Sequence, residues 1–204
     1  MNLDAMYYPY ASKRFVTYAK NGMVCTSQNL AAQAGLSILQ KGGNAIDAAI
    51  ATAACLTVVE PTSNGIGGDN FALIWTGGKL HGMNSSGQSP QLISIDALKE
   101  RGITEMPSEG FLSVTVPGAP SGWVALAQKF GRLPLTETLA PAIRYAEEGF
   151  PISPIVAKYW QYEIAYYRGK DWGEVLQPFF DTFTNAQGKA PVAGEYWRCP
   201  EQGA

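Results

Sequence analysis

The sequence predicts an α+β chain built round one buried helix. Three observations carry this. Residues 45–59 are small or apolar on nearly every face. Residues 71–75 and 80–84 read as the two strands of a hairpin closed by Thr76-Gly77-Gly78-Lys79, a strong two-residue turn signal. Helical patterns then recur at residues 122–130, 135–148 and 154–167, after one more strand-like run at 111–116.

A helix that is apolar all round is buried rather than amphipathic. The run at 45–59 falls short of the roughly 20 residues needed to cross a bilayer. It also holds Asp47, Thr52 and Thr57, so it is expected as a core helix packed through its alanines. Gly42 and Gly43 suit the end of a preceding helix. Asn44 suits the cap of the next, with Asp47 adding negative charge to its first turn. Glu60-Pro61 stops it, because a residue before proline is pushed out of the α region. The glycine-rich run at 64–68 follows this helix and precedes a strand. A phosphate cradle needs the opposite order and a following Gly-Lys-Ser/Thr, so a tight turn feeding the hairpin is expected.

The other elements follow in order. Residues 23–26 read as a short strand, and Asn29 or Ser27 as the cap of a helix that carries Leu30, Ala34 and Ile38 on one face. Gly35 in that helix predicts a close contact with a neighbour. Residues 84–90 form a polar loop after a strand, well placed to present side chains at a sheet edge. Ser94 caps a short helix that Gly102 ends. Residues 117–120 break the run at 111–116, and Ser121 is expected to cap the helix at 122–130. Pro141 should bend the helix at 135–148, and Gly149 ends it. Ser153-Pro154 opens a helix to about Tyr167. Its Tyr159, Trp160, Tyr162, Tyr166 and Tyr167 read as core or interface packing before a ligand wall. Residues 172–180 form a short helix and 185–188 a turn. The chain stops at Ala204 without a closing element, which is expected of a piece of something longer.

Composition excludes several functions. Fifteen basic and 17 acidic residues give a net charge of −2, unlike a nucleic-acid binder. Only 16% of residues are charged, against about 25% in an average soluble domain. That deficit implies surface covered by another protein segment. The three cysteines, Cys25, Cys55 and Cys199, are widely spaced and suggest neither a disulfide framework nor a metal site. His81 is the only histidine, and no cofactor motif is present. Glu147 and Glu148 are helix neighbours that point about 100° apart, so they do not form an acid–base pair. Residues 1–20 are a polar, aromatic arm without the apolar stretch of a secretory leader, so a cytoplasmic location is expected.

Five segments together resemble the start of a γ-glutamyltranspeptidase large subunit. They are GMVCTSQ at 22–28, KGGNAIDAAIA at 41–51, EPTSNGIGGDNF at 60–71, VPGAPSGW at 116–123 and FGRLPLTETLAPAIRYAEEGF at 130–150. The similarity runs from about residue 16 to 153 or beyond, and is greatest to the bacterial, cephalosporin-acylase-like branch. The resemblance implies the αββα sandwich of the N-terminal-nucleophile hydrolases, here incomplete, with residues 1–204 as the first portion of the large subunit.

It also implies γ-glutamyl transfer or hydrolysis on glutathione and related amides. A β-lactam side-chain acylase is the alternative substrate class. Such enzymes cut their own chain before a Thr, Ser or Cys, whose side chain becomes the nucleophile and whose freed amine is its base. In this family that threonine opens the small subunit, far beyond the matched segments. Thr26, Thr57, Thr62, Thr76 and Thr115 do not stand in its context, so no catalytic residue is expected in this chain. The expected partners are a small γ-glutamyl substrate and the nucleophile-bearing half of the same precursor. A truncated, non-catalytic partner or scaffold, or a pseudogene product, is the reading from another class.

In many relatives an arginine in the loop at 84–90 holds the substrate α-carboxylate through a two-pronged, charge-assisted pair. Four residues before Pro90 that place is held by Ser86. Two residues before Pro90, the place used in the acylase-like branch, it is held by Gln88. These two are the candidate substrate-binding residues, and Arg14 and Arg101 are candidates to supply the missing charge.

Overall fold

The computed structural model describes residues 16–204. Most of the predicted N-terminal arm, Arg14 included, lies outside the described residues, and residues 16–20 are exposed. The elements run α1 (Asn29–Gln40), α2 (Ala45–Val59), β1 (Asn70–Thr76), β2 (Lys79–Ser85), α3 (Ile95–Glu100), α4 (Ala119–Phe130) and α5 (Leu135–Glu148). There follow β3 (Phe150–Pro151), α6 (Pro154–Arg168), α7 (Gln177–Phe183), β4 (Tyr196–Trp197) and α8 (Pro200–Gly203). β1 and β2 pair antiparallel, as do β3 and β4.

Helix α2 is the centre. Ten of its fifteen residues are buried, and α1, α4 and α5 pack round it. Each fully buried Ile or Val contributes about 1.5–3 kcal/mol, and Ile50 and Val59 are such residues. Thr52 and Thr57 stay satisfied inside by donating to the carbonyls of Ala48 and Ala54, each at 2.8 Å. The close contact expected at Gly35 is present. A Cβ there would stand 2.2 Å from Thr52 Oγ1.

The N-terminus of α2 does more than the sequence implies. Asn44 Oδ1 accepts from the amides of Ile46 and Asp47, and Asp47 Oδ2 accepts from the Asn44 amide at 2.8 Å, closing a capping box. The same two side chains reach across the fold. Asp47 also accepts from the amides of Arg132 (3.1 Å) and Leu133 (3.4 Å), and Asn44 Nδ2 donates to the Phe130 carbonyl at 2.6 Å. Asp47 is fully buried. One knot therefore satisfies the helix start and fastens the turn between α4 and α5.

The hairpin is apolar on both faces. Ala72 and Ile74 lie opposite Met83 and His81, and this face packs on the helices. His81 sits against the Phe130 ring at 5.1 Å. The other face carries Phe71, Leu73, Trp75 and Leu80, between 63% and 81% exposed. An antiparallel hairpin with one face on the core usually carries polar residues on the other, so this exposed apolar patch is unusual for a free surface.

Several expectations are corrected. Residues 111–116 are not a strand. They start with a 3-10 turn at Phe111–Ser113, and Thr115 and Val116 bond to the loop after β2 instead of to a ladder. Residues 23–26 join no ladder among the described residues. Helix α1 is capped by Gln28, whose Oε1 accepts from Leu30 and Ala31, while Ser27 donates to Glu60. Helix α4 begins at Ala119, and Ser121 donates back to the Gly118 carbonyl at 2.7 Å instead of capping. Ser153 precedes α6 but makes no side-chain cap bond. The helix expected at 172–180 is a 3-10 turn at Gly173–Leu176 running into α7. The β3–β4 pair was not foreseen. Nor was α8, which packs on α5 and whose Gln202 donates to Thr57 Oγ1 at 3.1 Å.

Asp47→Ala leaves the amides of Asn44, Arg132 and Leu133 without their acceptor, and is expected to lower stability by about 3–5 kcal/mol in urea unfolding. A loss under about 1 kcal/mol would show that the knot is not the tether described. The paired change Leu73→Ser, Trp75→Ser is expected to reduce self-association of the chain in sedimentation while leaving its unfolding midpoint within error, since both side chains are exposed.

Candidate functional site

Three segments meet at the end of the hairpin: the glycine turn at 65–68, the loop at 85–88 and the stretch at 115–119. The amides of Gly118 and Ala119 both donate to the Gly68 carbonyl, at 3.1 and 3.0 Å. Ser85 Oγ donates to the Gly118 carbonyl at 2.8 Å. The Val116 amide donates to the Gln88 carbonyl at 2.8 Å, and Thr115 Oγ1 to the Ser86 carbonyl at 3.2 Å. The Ser86 amide donates to Asn84 Oδ1 at 3.0 Å.

The segments cross so closely that side chains do not fit. A Cβ on Gly118 would lie 2.0 Å from the Ser85 carbonyl oxygen. A Cβ on Gly87 would lie 1.8 Å from the Val116 carbonyl oxygen, and Gly87 also has φ +77°. Both positions require glycine.

The backbones of Ser86 and Gln88 are thus held at several points. Their side chains make no hydrogen bond within the described residues. Ser86 is half-buried and Gln88 is exposed. The structure brings the two to one short, fixed loop. Arg101 is close to that loop without joining it. It lines, with Pro90, Leu92, Leu98 and Phe111, an open groove of about 170 Å³.

The other chemistry-bearing residues sit elsewhere. The Thr57 hydroxyl is buried and bonded, and Thr115 holds the junction together. Burial pushes the Cys55 thiol up to about 12, which removes its nucleophilic form at neutral pH. Among the described residues no three His, Cys, Asp or Glu side chains gather closely enough to hold a metal ion, and no helix is long and apolar enough to cross a membrane. The Ser85–Gly118–Ser121 contacts were missed in the sequence. The available signal was the paired serines and glycines of SSG and PGAPSG.

The fold is that of solved N-terminal-nucleophile hydrolases, of which this chain supplies an incomplete αββα sandwich. It matches the crystal structure of a cephalosporin acylase from Bacillus halodurans with a TM-score of 0.89 and 57% identity, over 98% of this chain and 37% of that one. It matches Helicobacter pylori γ-glutamyltranspeptidase with a TM-score of 0.79 and 26% identity, over 92% of this chain and 53% of that one. The glutathione hydrolase-like YwrD proenzyme of Bacillus subtilis (strain 168) is 40% identical over 180 residues, 85% of this chain and 32% of the relative. A family model described as gamma-glutamyltranspeptidase matches residues 31–204. The chain belongs to the γ-glutamyltranspeptidase family. It spans about a third of the length of YwrD and of the acylase.

Gly118→Ala is expected to destabilise the chain by about 2–3 kcal/mol through forced overlap with Ser85, read by urea unfolding. At pH 8 a thiol reagent is expected to modify Cys25, which is exposed, and to leave Cys55 unmodified until the chain unfolds. Labelling of Cys55 at the rate of Cys25 would contradict its packing.

Proposed function

We propose that this chain is the first part of the large subunit of a self-cleaving acyl-transfer enzyme, and that the loop at 84–90 borders its acyl pocket. In this reading the nucleophilic threonine belongs to the rest of the precursor. It takes the acyl group from an amide and passes it to water or an amine. Ser86 and Gln88 face the acyl donor. The observation that carries this is the pinned loop. Its backbone is held at the Ser86 amide and at the Ser86 and Gln88 carbonyls, while both side chains remain uncommitted, which is the preorganisation a recognition element needs. Catalytic residues come from outside the chain. The bare apolar face of the hairpin is where the rest of the precursor lies.

γ-Glutamyl amides, glutathione among them, are the first substrate class. Neutral residues at 86 and 88 offer hydrogen bonds to a carboxylate without charge. Losing a charged partner for a buried carboxylate costs about 2–5 kcal/mol, so this site discriminates less strongly for a glutamyl group than one with an arginine. That neutrality, with the 57% identity to a cephalosporin acylase, favours a second reading, hydrolysis of a β-lactam side-chain amide.

The 204-residue chain alone is expected to release no p-nitroaniline from γ-glutamyl-p-nitroanilide, and measurable turnover would overturn the assignment of the nucleophile. In the full-length precursor, Gln88→Arg is expected to lower KM for that substrate about tenfold with kcat nearly unchanged, the effect of one added charge-assisted pair. An unchanged KM in both Gln88→Arg and Ser86→Arg would remove the loop from the glutamyl site.

A further inference from the structure

The aromatic side chains of α6 do not all pack in one way. Tyr159 and Tyr162 are exposed, whereas Trp160 is buried and its indole N–H donates to the Phe183 carbonyl at 2.8 Å. Trp160 and Tyr167 share a helix face with Glu163, three residues after the first and four before the second. Phe179 and Phe183 of α7 add to the aromatic lining, and Pro61 and Thr62, just after α2, also line this open pocket of about 180 Å³. Glu163 is half-buried there. Its carboxylate makes no hydrogen bond or ion pair with any described residue.

A carboxylate drawn partly out of water against aromatic rings, with no counter-charge, favours a cation beside it. The rings favour the same thing, because their faces carry negative charge density. The chain's own cations already use this aromatic cluster from outside. Lys170 Nζ lies 4.4 Å from the centroid of Tyr166, and the Arg168 guanidinium 5.8 Å from that of Phe180. No lysine or arginine lines the pocket itself. The Tyr167 phenol is held above its ordinary value first by burial and then by the carboxylates of Glu163 and Glu109, with Lys170 opposing.

We propose that this pocket binds a small organic monocation, an alkylated or quaternary ammonium head group, between the rings of Trp160, Tyr167, Phe179 and Phe183 and the carboxylate of Glu163. A quaternary head suits it best, since it is weakly hydrated and enters an aromatic site at small desolvation cost. The site is separate from the loop at 84–90 and does not rest on the acyl-transfer reading.

The test is a titration of the chain with tetramethylammonium chloride at constant ionic strength. The readout is the indole N–H resonance of Trp160, assigned by its loss in Trp160→Phe. The expected result is a saturable shift in the millimolar range that weakens about fivefold in Glu163→Gln, the size of one carboxylate–cation contribution near 1 kcal/mol. The uncharged isostere 3,3-dimethylbutan-1-ol, titrated into the unaltered chain, is expected to give no saturable shift. Equal saturation by the alcohol, indifference to Glu163→Gln, or no saturation by tetramethylammonium below about 50 mM would each overturn the proposal.

Discussion

The hydrogen-bonded knot of Asn44 and Asp47 is the constraint on which the rest of the structure depends. A helix start leaves amides unsatisfied, and here a buried carboxylate answers them. The same carboxylate holds the amides of Arg132 and Leu133. The direction in which α5 leaves α4 is therefore set by the cap of α2. Because α5 then packs along α2 and α8 packs on α5, one polar contact fixes the order of an otherwise apolar bundle. Apolar packing between alanine-rich helices has little directional preference, so an anchor of this kind selects one arrangement among several of similar burial.

The hairpin shows the other side of that economy. Its inner face belongs to the bundle, but its outer face carries four large apolar side chains to solvent. The low charge content of the sequence has its structural counterpart here. What the chain lacks in charged surface it has as surface suited to a second layer. The family's longer chains are consistent with that, since both YwrD and the acylase are about three times the length matched.

Much of this was legible in the sequence, for local reasons. Helix α2 was predicted to its limits because Gly43-Asn44 and Glu60-Pro61 mark both ends chemically. The hairpin was legible because Gly77-Gly78 fits one tight turn. Gly35 announced a close helix contact. The misreadings have a common cause. Phe111 to Val116 has strand composition, yet strands are made by neighbours, and its amides found the loop at 86–88. Gln28 outcompeted Ser27 and Asn29 as a cap because its longer side chain reaches back to two amides. The second role of Asp47 was invisible because it depends on residues about 85 positions away. Of the candidate site, the positions 86 and 88 were reached through family resemblance. The crossing that holds them was not, since nothing local says which glycines meet.

That crossing has a bearing on what substitution does to the loop above it. Gly87 and Gly118 leave no space for adjustment, and every backbone group that fixes the loop belongs to main chain or to Ser85, Asn84 and Thr115. The side chains at 86 and 88 take no part in holding it. A codon change at either position therefore alters what the loop exposes, charge or hydrogen-bonding group or neither, without removing a hydrogen bond that holds its backbone. At these two positions the chemistry that the loop exposes and the bonds that hold the loop are carried by different atoms.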